Sequence, residues 1–173
     1  WNNTGYFDFN GDSDSVSVSP PINQTFSYSF WVNLDNVSDS LNGGVGFVYD
    51  RFFNNYIEMR FEVSFSGNNI RLITSSGSTS SSIFYDATGM SNQWINVIAI
   101  GGSTYYSLYI DGNEVNTNTF TYRNLNTTGV TFQIGSKGSQ YGLNGKVNNV
   151  KLYNTVLTSS EITALEAEGP GVT

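Results

Sequence analysis

The sequence contains no histidine and no cysteine. Without histidine there is no Ser-His-Asp or Cys-His catalytic arrangement and no His-ligated zinc site. The side chain that usually titrates near neutral pH is also missing. Without cysteine there are no disulfides, thiolate nucleophiles or thiolate metal ligands. Any catalysis would have to use carboxylates, lysine, tyrosine or hydroxyl groups.

Charged residues are scarce, at 12% of the chain, where an average soluble domain has about 25%. Their balance is acidic, with a formal net charge of -7 at pH 7, which disfavours nucleic acid and anionic membranes as partners. No apolar run approaches the roughly 20 residues of a membrane-spanning helix. We therefore expect no nucleic-acid partner and no insertion into a membrane.

Apolar residues are nevertheless plentiful: 38% of the 173 residues are hydrophobic and 15% are aromatic. A chain of this length can form one core without disulfides, so we expect a single folded domain over residues 1–168. Residues 169–173 are rich in Gly and Pro and are typical of a linker. Because the chain begins with Trp1 and not Met, we expect it to be one domain of a longer protein.

Alternation of apolar and polar residues with a period of two dominates the chain and predicts strands. In Phe26–Asn33 one face is apolar and the other is expected to meet solvent, and Ile57–Phe65 repeats this pattern. Trp94–Ile100 is apolar enough to be a central strand covered on both faces. Asp111 and Gly112 predict a type I′ hairpin turn, which needs positive φ at both positions. Further short strands are predicted over residues 6–9, 15–18, 45–49, 70–74, 130–134 and 146–153.

One short helix is predicted near the C-terminus. Thr158 and Glu161 fit a capping box, and a Gly-Pro pair follows the helical stretch. Ile162 and Leu165 form an apolar stripe, so we expect the helix to cover an exposed edge or end of the core. The serine-rich segment 77–82 is read as a surface loop. The predicted fold class is all-β: a two-sheet antiparallel sandwich with one short C-terminal helix.

Six segments, in their order along the chain, also match the pattern of a known family. They are YFDFNGDSDSV at 6–16, FSYSFWV at 26–32, QWINV at 93–97, LYIDG at 108–112, IGS at 134–136 and GKVNNVKLYN at 145–154. Together they resemble the laminin-G-like (concanavalin A-like) jelly-roll superfamily. The resemblance implies a jelly-roll sandwich, found mostly in secreted or surface-exposed proteins, that binds glycans or proteins and often holds a calcium ion.

A structural calcium site is the one cofactor that the resemblance suggests. Asp8, Asp12 and Asp14 place oxygen ligands in one loop, and the implied topology would bring Asn148 and Asn149 near the N-terminal strand. The family commonly has aspartate where this chain has the two asparagines, and an amide offers one neutral oxygen in place of a charged carboxylate. The alternative is a hydrogen-bonded turn with no metal, because these residue types favour turns.

The strand predicted over Ile57–Phe65 carries two glutamates that could suggest catalysis, Glu58 and Glu62, with Arg60 between them. Some glucanases of the same superfamily place two catalytic glutamates four residues apart on one strand face, with an aspartate between them. Retaining hydrolysis needs two carboxyl groups about 5 Å apart, one protonated and one ionised, and a cation between them favours the ionised form of both. We therefore expect no enzymatic activity, and β-glucanase-like hydrolysis is the disfavoured alternative to a solvated, ion-paired strand face.

Aromatic residues in predicted loops suggest ligand binding. Sugars present flat apolar faces ringed by hydroxyls, so an exposed aromatic ring beside Asn or Asp is the chemistry that a glycan site requires. The alternative is that these rings tuck into the rim of the core. The candidate ligand-binding residues are Tyr49, Asp50, Arg51, Phe52, Phe53, Asn54, Asn55, Tyr56, Tyr105, Tyr122, Arg123 and Tyr141.

The function that these features favour is recognition. We expect a non-catalytic, extracellular module, displayed on a cell or virion surface by a longer protein, that binds a glycan or a surface protein. The alternative is a structural or decoration domain that packs against neighbouring proteins. Binding predicts an exposed aromatic cluster beside a groove, whereas a structural role predicts broad flat contacts that bury over ~1,000 Å².

The calcium hypothesis can be tested directly. If the acidic loop holds a structural ion, adding calcium should produce a heat of binding in a calorimeter, and a chelator should lower the melting temperature. No heat of binding, together with an unchanged melting temperature in chelator, would reject the site.

Overall fold

The structure, a computed structural model, describes residues 5–11, 14–18, 25–37, 57–63, 68–76, 79–119, 132–135 and 142–171. Within these ranges the chain forms strands and one helix, α1 (Ser159–Ala167). The strands are β1 (Phe7–Asn10), β2 (Val16–Val18), β3 (Phe26–Leu34), β4 (Ile57–Val63), β5 (Asn69–Ser76), β6 (Thr79–Asp86), β7 (Trp94–Gly101), β8 (Tyr105–Ile110), β9 (Asn113–Thr119), β10 (Phe132–Ile134) and β11 (Asn144–Tyr153).

The strands form two antiparallel layers. One layer is a six-stranded sheet in the order β1-β11-β3-β7-β8-β9. The facing layer contains the three-stranded sheet β4-β5-β6 and the pair β10-β2. The ladders between described strands are antiparallel. The predicted all-β sandwich with one short C-terminal helix is confirmed.

One hydrophobic core fills the space between the layers. Strands β3, β7 and β8 each contribute every second residue to it, as the alternating pattern predicts. Burying one such side chain contributes about 1.5–3 kcal/mol. The main members are Phe26, Tyr28, Phe30, Val32 and Leu34 of β3, Ile95, Val97 and Ala99 of β7, Tyr106, Leu108 and Ile110 of β8, Ile70 and Leu72 of β5, and Ile83 of β6.

Helix α1 lies on the outer face of the six-stranded sheet, whereas the sequence predicted that it would cover an edge or end of the core. Ile162 and Leu165 of the helix pack with Leu157 and with Ile98 and Ile100 of β7 in a second apolar cluster. This contact explains why β7 is apolar on both faces. Among the described helical residues there is no helix of the length and hydrophobicity needed to cross a membrane.

The helix begins as predicted. The Oγ1 of Thr158 accepts a hydrogen bond from the backbone N–H of Glu161 at 3.4 Å, and the Glu161 carboxylate accepts one from the backbone N–H of Thr158 at 2.7 Å. These two bonds form the capping box and satisfy N–H groups that no helical carbonyl can reach.

The outer face of β3 is buried, so the prediction that it meets solvent is wrong. Ser27 lies beneath the segment that leads into α1. Its hydroxyl donates to the carbonyl of Thr155 at 2.8 Å and accepts from the N–H of Leu157 at 3.1 Å. Polar and apolar residues still alternate along β3. The polar Ser27, however, binds the segment that covers this face and does not contact bulk water.

The Asp111–Gly112 turn is confirmed, with φ of 47° and 72° at its two residues. The loop predicted over residues 77–82 is wrong in part, because β6 begins at Thr79 and pairs with β5 through Ser81 and Ser82. Serine has a low intrinsic preference for strands, but cross-strand pairing and burial override such preferences. The strand predicted over 45–49 lies outside the described residues.

Residues 168–171, here called the C-terminal segment, lie against β11, although the sequence resembles a linker. The amide nitrogen of Asn148 donates to the carbonyl of Pro170, and that of Asn149 donates to the carbonyl of Gly169 at 3.2 Å. Strand β11 bulges after Asn148, and Asn149 has a φ of 50°, a conformation that asparagine tolerates well. The two asparagines therefore hold the C-terminal segment in place.

A charge pair completes this attachment. The Lys151 ammonium forms an ion pair with the Glu168 carboxylate, which also accepts a hydrogen bond from Asn149 at 3.2 Å. The bond from Lys151 and then that from Asn149 hold the pKa of Glu168 below its usual value of 4.5. A carboxylate with a lowered pKa stabilises the fold at neutral pH and loses that effect as the pH falls through its folded pKa.

We predict that Ser27→Ala lowers the free energy of unfolding by about 1–3 kcal/mol, because it leaves the carbonyl of Thr155 and the N–H of Leu157 without a buried partner. Denaturant unfolding measures this loss. Ser80→Ala, at an exposed position, is the matched control and should change stability by less than about 0.5 kcal/mol. Equal losses in the two variants would contradict the anchoring role of Ser27.

We also predict that Glu168→Gln lowers the free energy of unfolding at pH 7 by less than about 1 kcal/mol, since the pair with Lys151 is partly exposed. The difference from the unmodified protein should shrink well below pH 4.5, where protonated glutamate resembles glutamine. Denaturant unfolding at pH 7 and pH 3 tests this. Glu166→Gln is the control, because its carboxylate makes no hydrogen bond or ion pair with other described residues. A pH-independent difference would refute the ion pair.

Candidate functional site

One large apolar side chain is strongly exposed within the described part of the chain: the ring of Phe84, at 54%. Its neighbours on β6, Ile83 and Tyr85, both turn toward the core. Because side chains alternate along a strand, Phe84 must lie on the outer face of the three-stranded sheet. The packing of its two neighbours thus directs this ring to solvent.

Arg71 lies directly opposite Phe84 on β5. The guanidinium carbon of Arg71 is 5.7 Å from the centre of the Phe84 ring, within the ~6 Å range of a cation–π interaction. This contact places N–H donors beside an exposed aromatic surface. The pair therefore combines an apolar platform with hydrogen-bonding groups.

The edge of the six-stranded sheet approaches β6 next to this pair. Asn118 of β9 donates to the carbonyl of Ser82 at 3.1 Å and to the hydroxyl of Ser81 at 3.3 Å. Its amide also donates to the hydroxyl of Tyr106 at 3.1 Å, and that hydroxyl donates to Ser81 at 2.8 Å. These bonds join the edges of the two layers two residues from Phe84.

The exposed surface consists of the ring and its cross-strand partner. Ser81, which Asn118 contacts, shares one face of β6 with Ile83, so the bonds of Asn118 lie on the side of β6 that faces the other layer. The ring of Phe84 and the guanidinium of Arg71 lie on the outer face. We call Phe84 and Arg71 the Phe84 patch.

The Phe84 patch has the chemistry of a surface that binds a polar molecule with an apolar face. A ring can stack on the apolar face of such a ligand, while the guanidinium can donate hydrogen bonds to its hydroxyl groups. Phe84 is not among the residues predicted from the sequence, because no strand was predicted over residues 79–86. The run Ile83-Phe84-Tyr85 contains a signal that could have identified it: if Ile83 is in the core, Phe84 cannot be.

Of the predicted ligand-binding residues, the structure describes Tyr105, which lies apart from the Phe84 patch. Tyr105 lies on the outer face of the other layer, half-buried, and its ring packs against the apolar cluster beneath α1. It shares no surface with Phe84. The other candidates, at residues 49–56, 122, 123 and 141, lie outside the described residues and stay predictions.

Within the described residues, Asp14 does not lie near the other predicted calcium ligands Asn148 and Asn149. Asp14 follows the C-terminal end of β1, whereas Asn148 and Asn149 lie past its other end, because Phe7 pairs with Val147. The amides of both asparagines already bind the C-terminal segment. Within the described ranges no three acidic residues cluster as a metal site would require.

A calcium ion near the β1 loop would therefore have to be held without the two asparagines. Asp8 on β1 is exposed and pairs in register with Lys146, so its immediate cross-strand neighbour is a cation. Asp12 lies outside the described residues. The calcium site stays a prediction.

Strand β4 carries the residues considered for catalysis. It spans Ile57–Val63, which agrees with the predicted strand Ile57–Phe65 as far as the described residues extend, and its register sets Arg60 opposite Ile73 and Glu62 opposite Arg71. The side chains of β4 lie outside the described part of the structure. The expectation that Arg60 disfavours glucanase chemistry therefore stays a prediction.

Solved structures with the same fold include receptor-binding regions of botulinum neurotoxins. The receptor binding domain of botulinum neurotoxin D has a TM-score of 0.74 and 14% identity, covering 96% of this chain and 45% of that one. The serotype D ligand binding domain in complex with N-acetylneuraminic acid has a TM-score of 0.70 and 17% identity, covering 96% and 42%. The receptor binding domain of the C/D mosaic serotype has a TM-score of 0.71 and 17% identity, covering 97% and 44%.

At such identities the likeness shows the fold alone, and the chain spans less than half the length of each neighbour. No curated protein sequence matches this chain significantly. A family profile described as the concanavalin A-like lectin/glucanases superfamily matches residues 4–163, which confirms the resemblance seen in the sequence and the jelly-roll fold. The chain belongs to the concanavalin A-like lectin/glucanase superfamily.

Proposed function

We propose that this chain is a non-catalytic carbohydrate-binding module and that the Phe84 patch is its sugar-binding surface. The observation that carries the proposal is the Phe84 ring, 54% exposed on a paired strand, with a guanidinium beside it. Large aromatic rings usually lie in cores, and burying one contributes about 1.5–3 kcal/mol. Phe84 leaves much of that free energy unused in the isolated domain, so it is available to a ligand with an apolar face.

The patch is built on strands, which favours recognition of a defined ligand. Phe84 and Arg71 lie on paired strands, and the bonds of Asn118 fix β6 to the other layer. Groups that are already fixed lose little conformational freedom on binding. A weakly charged, hydroxyl-rich ligand also suits a protein with only 12% charged residues.

The comparisons support a sugar as the class of ligand. The family includes lectins, and structural neighbours have been solved with N-acetylneuraminic acid and with SialylT. Those neighbours are more than twice as long as this chain, so their ligands bear on it only through this proposal. We further propose that the domain works outside the cell or on a virion surface, as part of a longer protein.

We predict that Phe84→Ala weakens binding to whichever glycans the unmodified domain retains on a glycan array by about tenfold or more, roughly 1.4 kcal/mol, because the stacking platform is lost. Phe84→Tyr keeps a ring and should retain binding within about threefold. Because the ring is exposed, both variants should fold, which circular dichroism and melting temperature verify. Running the array with and without calcium separates this surface from the calcium hypothesis.

Asn113→Ala, at an exposed position at the start of β9, is the control outside the patch and should leave glycan binding unchanged. Retained affinity in a folded Phe84→Ala variant would contradict the assignment of the patch. If no glycan binds and the domain associates with itself as its concentration rises, the structural or decoration role would replace the recognition role.

A further inference from the structure

A cluster of buried polar side chains lies on the opposite side of the sandwich, on the outer face of β3 and β7 beyond helix α1. Trp31, Asn33 and Asn96 lie there, with exposed fractions of 8%, 8% and 0%. Trp31 and Asn96 are direct cross-strand partners, and Asn33 is two residues further along β3. Direct partners have Cβ atoms about 4.5–5.5 Å apart and diagonal neighbours about 7–8 Å, so the three side chains form one cluster.

Each of these side chains has a buried polar atom without a hydrogen-bond partner in the described part of the structure: Trp31 Nε1, Asn33 Oδ1 and Asn96 Oδ1. Two serine hydroxyls on the same face have partners, and that of Ser27 bonds to Thr155 and Leu157. The hydroxyl of Ser107 is 2.6 Å from that of Thr117. An unsatisfied buried polar atom costs about 1–3 kcal/mol, and such atoms are rare in native proteins. Three in one cluster indicate that a molecule belongs there.

The cluster's chemistry identifies the missing group. Trp31 offers one N–H donor, and the two asparagines offer acceptor oxygens, so the missing group must both accept and donate hydrogen bonds. A carboxylate cannot donate and an ammonium cannot accept. A hydroxyl or a water does both, and carries no charge that the buried site would have to neutralise.

We propose that Trp31, Asn33 and Asn96 form a binding site for a neutral hydroxyl group, supplied either by an internal water or by a sugar or polyol. This proposal is independent of the Phe84 patch, which lies on the outer face of the other layer. Failure of either leaves the other standing.

The C-terminal segment borders this site and distinguishes the two sources. Asn148 is the direct partner of Trp31 on β11, and its amide holds the carbonyl of Pro170. Because a sugar needs more space than a single water, loosening this neighbouring segment should favour binding of a sugar and is not needed for binding of a water. Asn149→Asp replaces an amide donor to Gly169 and Glu168 with a carboxylate that repels both oxygens, so it should loosen the segment.

Nuclear magnetic resonance of the full chain tests the site. The indole N–H of Trp31, assigned by its disappearance in Trp31→Phe, should show a cross-peak to a long-lived water if water is the source. If a sugar or polyol is the source, the same resonance should shift on titration with methyl α-glucoside or glycerol, and more strongly in Asn149→Asp. The backbone N–H of Leu108, which lies in the main core, is the internal control and should show neither effect. If Trp31 shows neither effect, the proposal is overturned.

A stability measurement provides a second test. If a hydroxyl bridges the cluster, Asn33→Leu removes one of its partners and should lower the melting temperature by about 2–4 °C. If the atoms are simply unpaired, the same change removes an unsatisfied oxygen and should raise the melting temperature, which would refute the proposal. Asn154→Leu, at an exposed position, is the control and should shift it by less than about 1 °C.

Discussion

Burial of both faces of the central strands is the constraint on which the rest of this structure depends. The inner faces of β3 and β7 lie in the main core, and the part of their outer faces that carries Ser27, Ile98 and Ile100 lies beneath α1 and the segment that leads into it. Because Ile98 and Ile100 would otherwise be exposed, the helix is needed to cover the sheet. Ser27 ties the covering segment down with two hydrogen bonds.

The same core determines where function can lie. Alternation along β6 is set by Ile83 and Tyr85, which face the main core, so Phe84 has no inward position available. Asn118 then joins the edge of β9 to β6 beside the exposed ring. A recognition surface in this domain thus follows from core packing, because the residues that hold the two layers together also orient the residues that can contact a ligand.

The side chains of Asn148 and Asn149 can donate hydrogen bonds, which the carboxylates of aspartates at the same positions could not do. As aspartates they could contribute charge to a calcium site, but they could not donate to the carbonyls of Gly169 and Pro170. As asparagines they do donate to them, and Lys151 adds an ion pair with Glu168. The C-terminal segment therefore borders the Trp31 cluster.

The sequence by itself determined the fold class, the hairpin at Asp111, the capping box at Thr158 and the inner face of β3. All of these follow from local rules: side-chain alternation, turn geometry and caps act between residues close in the chain. It did not determine that β6 begins in a run of serines, that Phe84 is exposed, or that the outer face of β3 is buried. Those features depend on which distant strand or helix packs against each face, and only the tertiary structure decides this, because local preferences of about 1 kcal/mol are smaller than the free energy of packing.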